Sequence, residues 1–171
     1  MKQNVNRTQF LRGRFNGQLP IRPPWSVEES LFTNLCDRCD ACIKSCHAKI
    51  IRRGDGGFPE VNFSRSGCDF CQACVQACAT GAIAKDLDQP WSLRACFKSS
   101  CLSERGVTCR SCGDVCEHGA IRFRLTVGGR AMVDFKESAC VGCGECVSLC
   151  PVQAIEIQQV ELNVQQGEDN E

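Results

Sequence analysis

The sequence has no net charge, no long apolar run and no nucleotide-binding loop. Twenty Lys and Arg balance twenty Asp and Glu, which removes the case for a nucleic-acid partner. No stretch approaches the roughly 20 apolar residues that a membrane-spanning helix needs. Neither a phosphate-binding loop, nor a dinucleotide fingerprint, nor a well-placed pair of carboxylates is present. The two histidines, His47 and His118, sit in no Ser, Asp or Cys pattern that would make a nucleophilic site. Both read as surface residues, and no enzyme activity is expected. What is present is cysteine, 17 in 171 residues. At that density cysteine chemistry, and not a large apolar core, must hold the fold.

Sixteen of the cysteines fall into four groups. Cys36, Cys39, Cys42 and Cys46 follow C-x2-C-x2-C-x3-C, as do Cys68, Cys71, Cys74 and Cys78. Cys140, Cys143, Cys146 and Cys150 follow it too, with Pro151 behind them. The third group, Cys101, Cys109, Cys112 and Cys116, has a stretched first gap of seven residues. Cys96 is left over. Four cysteines at this spacing followed by proline form the bacterial ferredoxin signature for cubane iron–sulfur clusters. A disulfide framework would need an oxidising compartment and usually an even count. Structural zinc favours C-x2-C pairs separated by longer loops.

Short gaps keep three thiolates on one loop, and the fourth reaches the other cluster of a pair. Exchange of the fourth ligand predicts four [4Fe–4S] clusters. One uses Cys36, Cys39, Cys42 and Cys78; its neighbour uses Cys68, Cys71, Cys74 and Cys46. Cys140, Cys143 and Cys146 take Cys116, while Cys101, Cys109 and Cys112 take Cys150. In this last set two alternatives stay open: Cys96 replaces Cys101, or the loop binds weakly. Gly142 and Gly144 allow close backbone approach and unusual dihedrals in the fourth loop. Ile50 and Ile51, Ala82 and Ile83, Ala120 and Ile121, and Ala154 and Ile155 follow the four runs. They read as a dry shell for the clusters and equally as the first core residues of each strand.

The cysteine offsets expose a duplication. Cys39, Cys42 and Cys46 recur 70 residues on, and the whole second group recurs 72 residues on. Only Cys36 breaks the shift, so the third group reads as an ordinary motif with five residues inserted after its first cysteine. A hairpin is predicted over Ile50–Arg53 and Val61–Phe63, with a glycine turn between, and a second over 121–124 and 132–135. The expected fold is α+β: tandem bacterial-ferredoxin-like units of small hairpins and short helices around the clusters. The units run 36–86 and 101–158, with 87–100 as a link. A basic N-terminal segment with a short helix occupies 1–35. Within it, Arg22-Pro23-Pro24-Trp25 is extended with Trp25 as an anchor, and Ser26 caps a helix over Val27–Leu35. Residues 159–171 form an acidic flexible tail. Arg7, Phe10, Leu11 and Arg12 have the flavour of a twin-arginine export signal, but Thr8 stands where the second arginine would be. No apolar h-region follows, so a cytoplasmic chain is expected.

Several of these features together resemble the NapF family, ferredoxin-type proteins of the periplasmic nitrate reductase system. They are the four motifs with the stretched Cys101–Cys109 gap, the defective export-like start, Arg22-Pro23-Pro24-Trp25, and the Arg52-Arg53-Gly54 to Val61-Asn62-Phe63 stretch. The resemblance implies a cytoplasmic, non-catalytic iron–sulfur protein. It implies contact with the nitrate reductase catalytic subunit NapA before export, and help in maturing it. The electron donor is not implied. A plain electron carrier or redox-enzyme subunit, and a zinc-stabilised binding module, are the competing expectations. Pro151 is the only proline after a fourth cysteine; His47, Ala79 and Glu117 stand at the equivalent places.

Overall fold

Helices this close to cysteine loops have little room to grow, and the longest among the described residues has seven residues. Isolated helices of that length are not stable in water, so tertiary contacts and bound groups must hold them. The computed structural model describes residues 19–85, 89–126 and 128–160. The expectations for residues 1–18, for Asp86 of the first unit, for Leu87 and Asp88 of the link and for the tail beyond Val160 lie outside these. The chain divides into two compact units, Met1–Pro90 and Trp91–Glu171.

In the first unit α1 spans Glu29–Leu35, α2 Ala41–Ser45, β1 Ile51–Arg53, β2 Pro59–Val61 and α3 Ala73–Gln76. The strands β1 and β2 pair antiparallel, with Ile51 opposite Val61 and Arg53 opposite Pro59. Gly56 (φ 64°) and Gly57 (φ 80°) turn the chain between them. The expected hairpin is thus present, with its second strand starting at Pro59. Trp25 is buried, as expected of an anchor, and meets Phe70 edge-on at 6.2 Å.

The capping expectation fails. The helix starts at Glu29, and Glu28 is its N-cap, accepting from the Ser30 N–H. Ser26 stands three residues before the helix, bridged to Ile83, and its hydroxyl donates to Pro23 O at 2.7 Å. Val27 also lies before the helix, its N–H donating to Ala82 O beside the Ser26–Ile83 bridge. Arg22 fixes this corner. It makes two bonds to Glu29, at 2.8 and 2.7 Å, donates to Pro59 O and stacks on the rings of Phe32 and Phe58. Arg22→Ala therefore takes both bonds from Glu29 and the cation from the rings of Phe58 and a fully buried Phe32. The expected cost is about 2–4 kcal/mol, read as a lower midpoint for thermal bleaching of the holoprotein.

In the second unit β3 spans Leu93–Phe97, α4 Ser111–Asp114, β4 Ile121–Leu125, β5 Ala131–Phe135, α5 Glu145–Ser148 and β6 Ile155–Gln159. The hairpin β4–β5 forms as expected. The link expected at 87–100 does not hold over Leu93–Phe97. That stretch is β3, paired antiparallel with β6 from Leu93 opposite Gln159 to Phe97 opposite Ile155. Ala95, Cys112, Ile121, Cys146 and Ile155 make the buried centre, with Phe97, Phe123, Phe135 and Ile157 packed on it.

The duplication extends beyond the cysteines. Lys98 N donates to Ala154 O as Val27 N donates to Ala82 O. From these anchors the second cysteine of each motif lies eleven and twelve residues on, at Cys109 and Cys39. The third motif therefore has no net insertion, which corrects the reading of five added residues. Its first cysteine has moved instead. In the first unit α1 precedes Cys36; in the second, a turn over 102–106 follows Cys101. Ser103, buried to 1 %, pins that turn by donating to Ala131 O.

Candidate iron–sulfur sites

Three of the four loops share one backbone device. The residues on either side of the second cysteine are left-handed: Arg38 and Asp40, Phe70 and Gln72, Gly142 and Gly144. This winds the loop so that three thiols face inward. Only the fourth loop announces it in sequence, through its glycines. In the third loop Arg110, the counterpart of Asp40, has φ −134°. That loop reaches its site through the displaced Cys101. A second device is common to all four motifs. The residue three after the fourth cysteine is left-handed: Lys49, Gly81, Gly119 and Gln153. The apolar pair that follows is then turned inward, and all eight of these residues are buried.

The loops gather their thiols across motifs. A hollow of about 360 Å³, partly open to solvent, is ringed by Cys36, Cys39, Cys42 and Cys78. In the second unit a hollow of about 350 Å³ is ringed by Cys116, Cys140, Cys143 and Cys146. Cys68 has Cys74 and Cys46 as thiol neighbours, and Cys74 has Cys46 and Cys71. Cys112 has Cys101, Cys109 and Cys150. Thiols of paired motifs thus lie side by side, with Cys42 also near Cys74 and Cys146 near Cys112. Cys96 faces outward on β3, opposite Glu156, while Cys101 is buried beside Cys112. His47 and His118 are exposed.

Burial, and then neighbouring thiols, push Cys42 up to about 12. Cys146 also rises to about 12, by burial first and then Cys143 and Cys140. Burial takes Cys68 to about 12 and Cys74 and Cys112 to about 11. Such thiols are protonated at neutral pH unless something positive takes the proton's place. Iron does so, and its binding must release protons. Acid therefore favours the metal-free form. Chelator-driven bleaching of the holoprotein is expected to be faster at pH 6 than at pH 8; equal rates would contradict this.

The residues present fit a cubane cluster. In two of the sets four thiols ring a hollow, and backbone N–H groups already point at sulfur. Ala154 N reaches Cys150 Sγ at 3.1 Å, Ile83 N reaches Cys78 Sγ at 3.4 Å, and Phe70 N reaches Cys68 Sγ at 3.4 Å. Among the described residues, no three Cys, His, Asp or Glu side chains close on a point fit for a single ion. Tetrahedral zinc would draw its thiolates to about 2.3 Å from one atom; a cluster of several atoms spreads them wider.

What reading of the sequence missed lies mostly in the backbone: the left-handed pairs at non-glycine positions, strand β3, and the migration of Cys101. The matching ladders on either side of the duplication were the available signal for the last of these.

The comparisons agree with this geometry. A family described as a 4Fe-4S dicluster domain matches residues 35–83, and another of the same description matches 106–154. The chain therefore carries multiple [4Fe–4S] clusters. The ferredoxin-type protein NapF of Haemophilus influenzae is 46 % identical over 173 residues, covering 94 % of this chain and 98 % of that protein. NapF of Escherichia coli K12 is 43 % identical over 159 residues, covering 91 % and 95 %. The methylamine utilization ferredoxin-type protein MauM of Methylorubrum extorquens is more distant, at 31 % over 150 residues. No helix among the described residues is long and apolar enough to cross a membrane. With these likenesses along nearly its whole length, the chain belongs to the NapF family of ferredoxin-type iron–sulfur proteins.

Proposed function

We propose that this chain holds four [4Fe–4S] clusters, two in each of the units 36–86 and 101–158, and moves single electrons for the periplasmic nitrate reductase system. The observation that carries the reading is the pair of hollows ringed by three cysteines of one motif and the fourth of its neighbour. Each such cluster, when bound, takes up and returns one electron. The rest is done by the chain. Cys36, Cys39, Cys42 and Cys78, and Cys68, Cys71, Cys74 and Cys46, hold one pair. Cys140, Cys143, Cys146 and Cys116, and Cys101, Cys109, Cys112 and Cys150, hold the other. Ile50, Ile83, Ile121 and Ile155 keep water from the sulfurs, and the N–H groups on Cys78 and Cys150 favour added negative charge.

We further propose that the chain works in the cytoplasm on the catalytic subunit NapA, assisting its maturation before export. The family membership supports this partner. A tagged copy of this chain should retrieve NapA that still carries its export signal. A strain lacking the chain should assemble less active NapA; normal assembly there would contradict the maturation role and leave a general electron carrier.

A further inference from the structure

The turn after each fourth cysteine is shared, but the second residue of that turn is not. It is Ala48, Thr80, His118 or Val152. Only Thr80 brings a hydroxyl. Its Oγ1 accepts the N–H of Ala82 at 3.5 Å and lies 3.6 Å from Cys78 Sγ. A ligating thiolate has no hydrogen to give, so the hydroxyl must be the donor. The Ala82 N–H polarises that hydroxyl further. Ile83 N–H reaches the same sulfur at 3.4 Å.

Reduction adds negative charge that spreads onto the ligand sulfurs. A donor aimed at sulfur strengthens as that charge arrives, which raises the reduction potential. Across the unit, Cys68 in the neighbouring ring receives the Phe70 N–H, with no hydroxyl in its turn. We propose that Thr80, by donating its hydroxyl hydrogen to Cys78 Sγ, raises the potential of the cluster held by Cys36, Cys39, Cys42 and Cys78. That cluster then becomes the place where an electron settles in the first unit. The inference rests on the reading above that Cys78 serves the first motif's cluster. Thr80 is a positioning and tuning residue, and touches the cluster only through its ligand.

Anaerobic redox titration of the full holoprotein, followed by EPR, tests it in Thr80→Val and Thr80→Ser. In Thr80→Val one midpoint should fall by about 30–60 mV, a three- to tenfold change in a one-electron equilibrium at 59 mV per tenfold. Thr80→Ser should keep the wild-type value. Unmoved midpoints in a Thr80→Val protein with full iron would overturn the proposal. Should Thr80→Val lose iron, Thr80→Ala is set against Thr80→Ser, and equal midpoints there would overturn it as well. Full iron kept through oxidation in Cys78→Ala would instead contradict the ligand reading itself. Iron lost from Cys78→Ala with an unmoved midpoint in Thr80→Val would sink the role of Thr80 alone.

Discussion

Replacing Cys78 with serine is expected to empty the site of the first motif and to leave that of its own motif in place. The reason is spatial. Cys78 lies on the ring with Cys36, Cys39 and Cys42, although it follows Cys68, Cys71 and Cys74 in sequence. Four cubanes bring about sixteen iron atoms per chain. Cys78→Ser should drop this toward about twelve, or leave a site that loses one iron readily on oxidation. Cys46→Ser should do the same to the second motif's site, because Cys46 neighbours Cys68 and Cys74. The spectra of the two variants should therefore be exchanged relative to sequence order. Cys96→Ser is the control. Its side chain faces outward on β3, and iron content should not change.

Gly142→Ala should be the most damaging single substitution outside the cysteines. Gly142 has φ 70°, and a Cβ there would lie 2.5 Å from Leu93 O and 2.6 Å from Leu93 Cβ. The backbone of β3 cannot yield without breaking its ladder to β6. A left-handed alanine costs about 1–2 kcal/mol, and overpacking adds about 1–3 kcal/mol. The loop that carries Cys140 and Cys143 is displaced with it. The expected result is loss of about four iron atoms per chain and a lower bleaching midpoint. Gly128→Ala is the comparison. That glycine is also left-handed, at φ 90°, but has open space around it. Gly128→Ala should therefore show the cost of the dihedral without the clash. Equal effects in the two variants would mean that the close approach to Leu93 is unimportant.

The cysteines were legible because ligand spacing is a short-range code: two or three residues between thiolates fix a loop. The hairpins were legible because glycines sit between β-branched and aromatic runs at Ile51–Val61 and Ile121–Phe135. Strand β3 was hidden. Arg94 interrupts its apolar pattern, and its partner Ile155–Gln159 lies far along the chain. Ser26 looked like a cap from its neighbours alone, but its pairing with Ile83, far along the chain, delays the helix to Glu29. The left-handed residues around Cys143 could be foreseen from Gly142 and Gly144. Those around Cys39 and Cys71 could not, because Arg38, Phe70 and Gln72 have no such preference and Asp40 has only a mild one. The stretched third motif misled for a related reason. A gap in cysteine spacing reads as an insertion, whereas the matched hydrogen bonds at Val27 and Lys98 show a displaced ligand. The turn that fills the gap is held by buried Ser103, so the gap is built into the fold.

The central claim is that four rings of thiols each hold a cubane. Its most direct measurement is iron and acid-labile sulfide per chain in anaerobically purified protein, with Mössbauer spectra of the same sample. The account predicts about sixteen of each per chain and spectra of [4Fe–4S] clusters throughout. A colourless protein holding zinc and no sulfide would contradict it.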